Sequence, residues 1–201
     1  MRRHLAIVLL AVPAVNADVS SCPPITSDAH YFQPGSLARG RGGDDAFVRE
    51  WFSKHLRIME EPSLTCGSAP DEGAVYRFLW LRTFHNPIAV RVTVTRAVVT
   101  IDATELDGAG GYDPGKMLKR ASRKIPGPDS GLIEANFKEL WAYTPPFDEP
   151  GMDGSEWIFE ARDHSRYKIV SVWSPTGGLP RRLGEYALSI SGLDVPLNDR
   201  Y

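Results

Sequence analysis

Residues 87–95 read PIAVRVTVT, and this short stretch decides the class of fold. From its isoleucine onward, large apolar side chains alternate with alanine, arginine and threonine, which is the pattern of a strand with one buried face. AVYRFLWLRTF (74–84) precedes it and AVVTIDATEL (97–106) follows it, and both are rich in aliphatic, aromatic or β-branched residues. Because Asn86-Pro87 marks a turn and the connections are short, the three segments predict an antiparallel meander.

A second pair of strands and three helices complete the predicted fold. SEWIFEARDHSRYKIVSVWS (155–174) predicts a hairpin with its turn at residues 163–165. Residues 107–130 are rich in glycine and proline and predict a connecting loop. The prediction is an α+β fold, a mostly antiparallel sheet of about five strands with about three helices packed on one face of it. Apolar residues at helical spacing place the first two helices at residues 45–59 and 131–143. Pro180, which suits a first turn, and Gly192, which suits a left-handed stop, place the third at residues 180–191.

The N-terminal segment MRRHLAIVLLAVPAVNA (1–17) has the features of a secretory signal peptide. Two arginines precede a short apolar stretch, and small residues stand at Val15 and Ala17, the positions that a signal peptidase reads. We expect cleavage after Ala17, an extended arm at residues 18–43 and a single α+β domain at residues 44–201. The protein is therefore predicted to be periplasmic or secreted.

The balance of charge argues against nucleic-acid binding. The chain carries 23 lysines and arginines against 25 aspartates and glutamates, a net charge of −2 that becomes −4 once the two leader arginines are removed. A dedicated nucleic-acid binder is typically basic. No apolar run after the leader is long enough to cross a bilayer, so no transmembrane helix is predicted in the mature chain.

Both cysteines, Cys22 and Cys66, lie in the predicted mature chain. Two thiols in an oxidising compartment most often pair, so we expect one disulfide that joins the arm to the loop after the first helix. Two free thiols are an alternative, and so is lipidation of Cys22, which ends the segment VSSC. The sequence leaves the choice between disulfide and lipid open.

The glycine-rich segment DGAGGYDPGKM (107–117) contains the spacing G-x-x-x-x-G-K of a phosphate-binding loop. The match is incomplete, because Met117 stands where a serine or threonine would hold Mg²⁺. Asp113-Pro114 also brings a negative charge into the segment and removes one backbone donor. We therefore predict a glycine-rich turn that recognises a ligand or partner. Its candidate recognition residues are Asp107, Tyr112, Asp113 and Lys116.

The remaining polar residues predict no catalytic residue, no metal and no cofactor. Carboxylates gather at residues 102–113 and 148–160, but neither group has the spacing of an EF-hand. The histidines of the mature chain are far apart in sequence, and no G-x-S-x-G motif is present. Glu156 and Glu160 share one face of a predicted strand, and we expect them to face solvent rather than to form a catalytic pair.

Tryptophans and basic residues give two further expectations. Four tryptophans occur in predicted strands or helices and are expected in the core: Trp80, Trp141, Trp157 and Trp173. The basic residues within 116–124 are expected to form a solvated face, with phosphate, lipopolysaccharide or an acidic partner as alternatives. The acidic residues within 148–160 are the candidates to balance them.

Three segments resemble a group of small exported proteobacterial proteins: YRFLWLRTFHNPIAVRV (76–92), ELDGAGGYDPGK (105–116) and EWIFEARDHSRYKIVSVWSP (156–175). The loop D-G-A-G-G-Y-D-P-G and the hairpin W-I-F-E…R-Y…W-S-P carry the likeness, which spans residues 74–193. The group has no assigned activity. The resemblance therefore implies a family loop at residues 107–115 and nothing about catalysis.

Three functional hypotheses follow for an exported domain without a recognisable catalytic motif. The first, which the sequence favours, is a non-catalytic periplasmic binding or inhibitor module that acts on a protein partner or a cell-wall component. The second is a hydrolase directed at the cell envelope that uses carboxylates of residues 102–113 and 148–160. The third is a structural protein of the envelope. The oligomeric state is left open.

Overall fold

The computed structural model describes residues 31–37, 45–65, 69–70, 72–127, 130–146 and 151–196. Within these ranges it contains a six-stranded antiparallel sheet and three α-helices, so the α+β class is confirmed. The predicted leader and both cysteines lie outside the described residues, as do Asp148 and Glu149 of the predicted acidic loop.

Six strands form the sheet: β1 (Gly73–Arg82), β2 (Ile88–Thr95), β3 (Val98–Leu106), β4 (Met117–Pro126), β5 (Ser155–Asp163) and β6 (Tyr167–Trp173). Their order is β4-β3-β2-β1-β5-β6, and every neighbouring pair is antiparallel. The predicted meander and the predicted hairpin are both confirmed, and the pairing of β1 with β5 joins them. The central strand β1 is consequently buried on both faces.

The presence of β4 contradicts the prediction of a loop across residues 107–130 and raises the number of strands from about five to six. The strand lies at one edge of the sheet and pairs with β3, with a register shift between Glu105 and Leu106. Eight of its ten residues are exposed, and its contacts with the hydrophobic core come from Ala121 and Ile125. A strand that is open to solvent needs no regular apolar alternation, which is why its sequence lacks the usual pattern.

Three helices cover the sheet: α1 (Asp45–Ile58), α2 (Gly131–Lys138) and α3 (Gly178–Ile190). α2 continues as a 3₁₀ turn at Glu139–Trp141, so the helix predicted at 131–143 is present in two parts. α3 has Pro180 in its first turn, where the N–H that proline lacks would have no partner within the helix. Gly192 follows the end of α3 with φ of +77°, which confirms the predicted left-handed stop.

The helices lie on both faces of the sheet, not on one as predicted. α2 and α3 cover the face that carries Phe78 and Trp80 of β1. α1 and residues 31–37 cover the opposite face, which carries Leu79 and Leu81. The reason lies in β1 itself, because its consecutive large apolar residues point to opposite sides and both sides need cover. The sheet is therefore the middle of three layers.

Aromatic rings dominate the face under α2 and α3. Phe78 stacks on Phe159 with ring centroids 4.8 Å apart, and the ring centroids of Trp80 and Trp157 are 5.4 Å apart. α3 approaches these rings through Gly184, where an added Cβ would lie 2.1 Å from a ring carbon of Trp157. A glycine within the helix thus permits close packing that any other residue would prevent.

The four tryptophans expected in the core divide into two pairs. Trp80 and Trp157 are fully buried, as predicted. Trp141 is partly buried and packs against the hydrophobic core, whereas Trp173 is partly buried outside it, so the prediction is wrong for Trp173. Trp141 lies against the guanidinium of Arg166, 4.3 Å from its ring centroid, and Trp173 lies at the end of β6 next to a surface cleft.

Candidate functional site

A cleft of about 360 Å³ opens on the α1 side of the sheet, where β1 and β6 end and β5 begins. Phe47 and Trp51 of α1 line one wall, and Tyr112 lines a second wall. Met152 and Trp173 line the side that is formed by the chain around β5 and β6. The volume is near the lower limit of about 300 Å³ for ligand pockets, so the cleft is large enough for one or two side chains of a partner.

The glycine-rich loop (residues 107–115) forms the second wall because it packs flat against the end of β1. The N–H of Gly111 donates to the Thr83 carbonyl at 3.2 Å. An added Cβ at Gly110 would lie 2.6 Å from the backbone nitrogen of Arg82. Because backbone lies on both sides of this contact, glycine is required there for close approach of the two chains.

Of the four predicted recognition residues, Tyr112 lines the cleft and the other three do not. Tyr112 is 57% exposed and stacks on Phe84 with ring centroids 5.9 Å apart. Asp107 Oδ1 accepts from the N–H of Lys116 at 2.6 Å, and Asp113 Oδ1 accepts from the N–H two residues further on at 2.8 Å. Both carboxylates therefore shape the loop. The side chain of Lys116 is exposed next to the start of β4, outside the cleft.

Two side chains of α1 tie the helix to the glycine-rich loop. Lys54 Nζ donates to the Tyr112 carbonyl at 2.6 Å and lies 3.2 Å from the centroid of the Trp51 ring. Trp51 Nε1 donates to the Gly110 carbonyl at 3.4 Å. Burial lowers the pKa of Lys54, against the raising effect of nearby carboxylates. These contacts hold the Trp51 ring in position as part of the cleft wall.

Behind this wall lies His55, which is fully buried. Its Nδ1 is 3.0 Å from the Trp51 carbonyl. Burial, reinforced by the charge of Lys54, lowers the pKa of His55 to about 4. The ring is therefore neutral at neutral pH, and it supports the wall without lining the cleft.

One carboxylate, that of Glu156, lies in the wall of the cleft. The residue is 2% exposed, and the hydroxyl of Ser171 on the neighbouring strand donates to its Oε1. The prediction that Glu156 faces solvent is wrong, because the layer formed by α1 covers this face of β5. No second aspartate or glutamate from the described part of the chain lines the cleft, so the geometry does not bring a catalytic pair of carboxylates together there.

Glu160, also predicted to face solvent, is fully buried and belongs to a separate polar cluster. Its Oε2 accepts from Arg77 Nε at 2.7 Å, and its Oε1 accepts from the Tyr167 hydroxyl at 2.8 Å. Arg77 is fully buried too and donates to the Pro62 carbonyl at 2.6 Å. Burial raises the pKa of Tyr167 well above its usual value, and the adjacent Glu160 carboxylate raises it further.

The cluster continues across the sheet as a charged row formed by Glu160, Arg77, Glu61, Arg91 and Asp102. Glu61 Oε2 lies 3.7 Å from Arg77 Nη1 and 3.0 Å from Arg91 Nε. Arg91 also pairs with Asp102 at 3.0 Å, and Ser122 donates to Asp102 at 2.7 Å. Arg77 lies directly opposite Arg91 in the register, and Arg91 directly opposite Asp102. Because its members satisfy one another, the charged row is a structural link between the sheet and the segment after α1.

Sequence reasoning missed Trp51, Glu156 and Trp173 as residues of the cleft. Helical spacing assigns Trp51 to the buried face of α1, and strand alternation assigns Trp173 to the core. The available signal was Glu156, an acidic residue next to the apolar run Trp157–Phe159. Such a charge is rarely buried without a specific role, so it marks a position worth inspecting.

Within the described ranges, no group of three or more histidine, cysteine, aspartate and glutamate side chains is placed to hold a metal ion. Among the same residues, no helix has the length and apolar character needed to cross a membrane.

Comparison of the chain with protein-family models, with curated proteins and with solved structures gives no match in any of the three searches.

Proposed function

We propose that the protein is an exported, non-catalytic binding module that holds an apolar side chain of a protein partner in the cleft. The observation that carries this proposal is the gathering of exposed hydrophobic side chains at one place. Of the eight large hydrophobic residues that are exposed in the described part of the chain, four lie here. They are Phe47, Tyr112 and Met152 in the lining and Phe84 stacked on Tyr112. Clusters of this kind mark interaction sites, whereas single exposed hydrophobic residues do not.

The chemistry of the lining favours a protein partner over a glycan of the cell wall. Thr83 and Glu156 are the polar non-aromatic side chains of the lining in the described part of the chain. A sugar carries many hydroxyl groups, each of which needs a hydrogen-bond partner when it is desolvated. Aromatic rings and a flexible methionine are instead typical of the centres of protein interfaces. An anchor side chain of a partner therefore fits this cleft best.

The same geometry supports the binding hypothesis over the hydrolase hypothesis. Carboxylates at residues 102–113 were candidates for catalysis, but Asp107 and Asp113 accept hydrogen bonds from the loop's own backbone. Among the described residues, Glu156 is the one carboxylate in the lining, and acid–base cleavage of a glycosidic bond ordinarily uses two. The partner of an inhibitor module can itself be a hydrolase that is directed at the cell wall. The module would neutralise this hydrolase by binding to it.

The proposal that the cleft binds a partner is tested by the retention of proteins from a periplasmic extract of the source organism on the immobilised protein. The retained partner is identified by mass spectrometry. The variant Phe47→Ser/Tyr112→Ser removes two exposed rings of the cleft, and we expect it to retain the partner about tenfold less than the wild type. The control is Leu132→Ser, because Leu132 is equally apolar and 78% exposed but lies on α2. Equal retention by both variants would remove the cleft as the site. Binding to sedimented peptidoglycan that depends on the same two rings would replace the protein partner by a wall component.

Export is tested separately by producing the full chain with its own leader in a Gram-negative host. We expect the mature protein in the periplasmic fraction, with its N-terminus at Asp18. Accumulation of the unprocessed chain in the cytoplasm would contradict the proposal of an exported protein while leaving the cleft proposal intact.

A further inference from the structure

We propose that the outer edge of β4 takes an acidic, extended peptide segment of a partner as a seventh strand of the sheet. This surface is distinct from the cleft, since β4 is the edge strand beyond β3 and β2, whereas the cleft lies where β1 and β6 end. Addition of a strand to an open sheet edge is a common mode of peptide recognition, in which backbone hydrogen bonds supply affinity and side chains supply specificity.

Among the described residues, the edge strand β4 is exposed to solvent, whereas β6 at the opposite edge is not. Eight of the ten residues of β4 are exposed, and none of the seven residues of β6 is. The Lys168 ammonium of β6 donates to the carbonyls of Trp141 and Tyr143, so the segment after α2 packs against the face of the sheet at β6. An exposed edge strand of ten residues offers a row of backbone donors and acceptors to an added strand.

Charge indicates which peptide fits this edge. Four basic residues in β4 or directly before it have no ion pair in the described part of the chain: Lys116, Lys119, Arg123 and Lys124. The fifth, Arg120, is bound to Glu60 and to the Met59 carbonyl. Of the acidic residues predicted to balance this group, the described ones do not do so, because residues 151–160 lead into β5, and three strands separate β5 from β4. A chain of net charge −2 thus concentrates unpaired positive charge on one edge strand.

The placement of these cations suits a strand in the plane of the sheet. Lys119 lies opposite Glu105 and Arg123 opposite Ile101, on the face covered by α3, while Lys124 lies opposite Thr100 on the other face. An added strand projects alternate side chains to one face, so acidic residues at every second position would lie directly beside Lys119 and Arg123.

A second copy of this chain and an anionic lipid surface fit the edge less well. Pairing of two β4 strands would set lysines and arginines against each other, and like charges directly opposite in a sheet are destabilising. A lipid surface can neutralise the cations, but it offers no row of backbone groups to complete the ladder. The structure therefore favours an acidic peptide, and the other two occupants become outcomes of the test.

The probe is a labelled ten-residue peptide of alternating glutamate and threonine with blocked ends. We expect it to bind by fluorescence anisotropy at low salt and to slow hydrogen exchange at residues 117–126. Two N-methylated forms, one methylated at every glutamate and one at every threonine, separate strand addition from plain charge attraction. Only alternate N–H groups of an edge-pairing strand face β4, so one form should lose binding and the other should keep it. Equal binding of both forms would overturn the proposal.

The charge requirement is tested with Lys119→Glu/Arg123→Glu, which should weaken peptide binding about tenfold or more. The control is Arg96→Glu/Lys138→Glu, which makes the same change of net charge at two exposed residues outside β4 and should leave binding within about twofold. Equal weakening by the two variants would overturn the proposal. Binding to phosphatidylglycerol vesicles in the absence of peptide binding, or peptide-independent dimers that the β4 variant disrupts, would overturn it as well.

Discussion

Glu160 and Arg77 meet in the interior of the molecule, where removal of either partner leaves the other charge without compensation. The two side chains are fully buried, and Arg77 Nη2 lies 2.5 Å from Glu160 Oε2. We predict that Glu160→Gln lowers the free energy of unfolding by about 3 kcal/mol, measured by urea denaturation. The control is Glu185→Gln, which breaks the partly exposed pair with Arg181 and should cost less than about 1 kcal/mol. Similar losses for the two variants would contradict a structural role of the buried pair.

His55 makes stability depend on pH. Its pKa is lowered to about 4 by burial, while the ordinary value of about 6.5 applies in the unfolded chain. On acidification the unfolded state takes up the proton first, so the stabilisation is complete above about pH 6.5 and is lost as the pH falls towards about 4. We predict that the wild type loses about 3 kcal/mol more than His55→Gln between pH 7 and pH 4 in urea denaturation. The exposed His164→Gln should retain the wild-type dependence, and an unchanged profile in His55→Gln would contradict the assignment.

At the scale of elements, replacement of Gly184 in α3 by alanine has two opposing effects on stability. Alanine has a higher helix propensity than glycine by about 1 kcal/mol, but the added Cβ at Gly184 would lie 2.1 Å from the buried ring of Trp157. Overpacking typically costs about 1–3 kcal/mol, so we predict that Gly184→Ala destabilises the protein in thermal and urea denaturation. Gly131 of α2 is the matched control, because nothing lies within 4 Å of an added Cβ there. Gly131→Ala should stabilise the protein, and stabilisation by both variants would show that α3 can move away from Trp157.

The elements also show what local sequence can and cannot predict. β2 was predictable because its apolar alternation reports one buried face, and α3 was predictable because Pro180 and Gly192 mark its ends. β4 was not, because an exposed edge strand leaves no apolar period in its sequence. Burial of Glu160 was not predictable either, since it depends on Arg77, which is 83 residues away in sequence.

At the scale of the whole molecule, the cleft could not be predicted from local sequence patterns. Its lining comes from α1, the end of β1, the glycine-rich loop and the hairpin of β5 and β6, and these four parts are far apart in sequence. Tyr112 could be predicted from its place at the tip of a glycine-rich turn. Trp51 and Trp173 could not, because periodicity places a residue on a face of its own element but not beside a gap between elements. The position of α1 on the face opposite α2 and α3 decides that the gap exists.

The two cysteines give a prediction about how the N-terminal arm joins the domain. Cys22 and Cys66 lie outside the described residues, and 43 residues separate them in sequence. A disulfide that closes such a loop stabilises the folded state by about 4 kcal/mol at most. We predict that the processed protein has no reactive thiol when it is titrated under denaturing conditions. Cys22→Ser, Cys66→Ser and the double variant should lose the same free energy of unfolding, because each removes the same bond. Two reactive thiols, or an intact mass raised by acyl chains on Cys22, would contradict the disulfide.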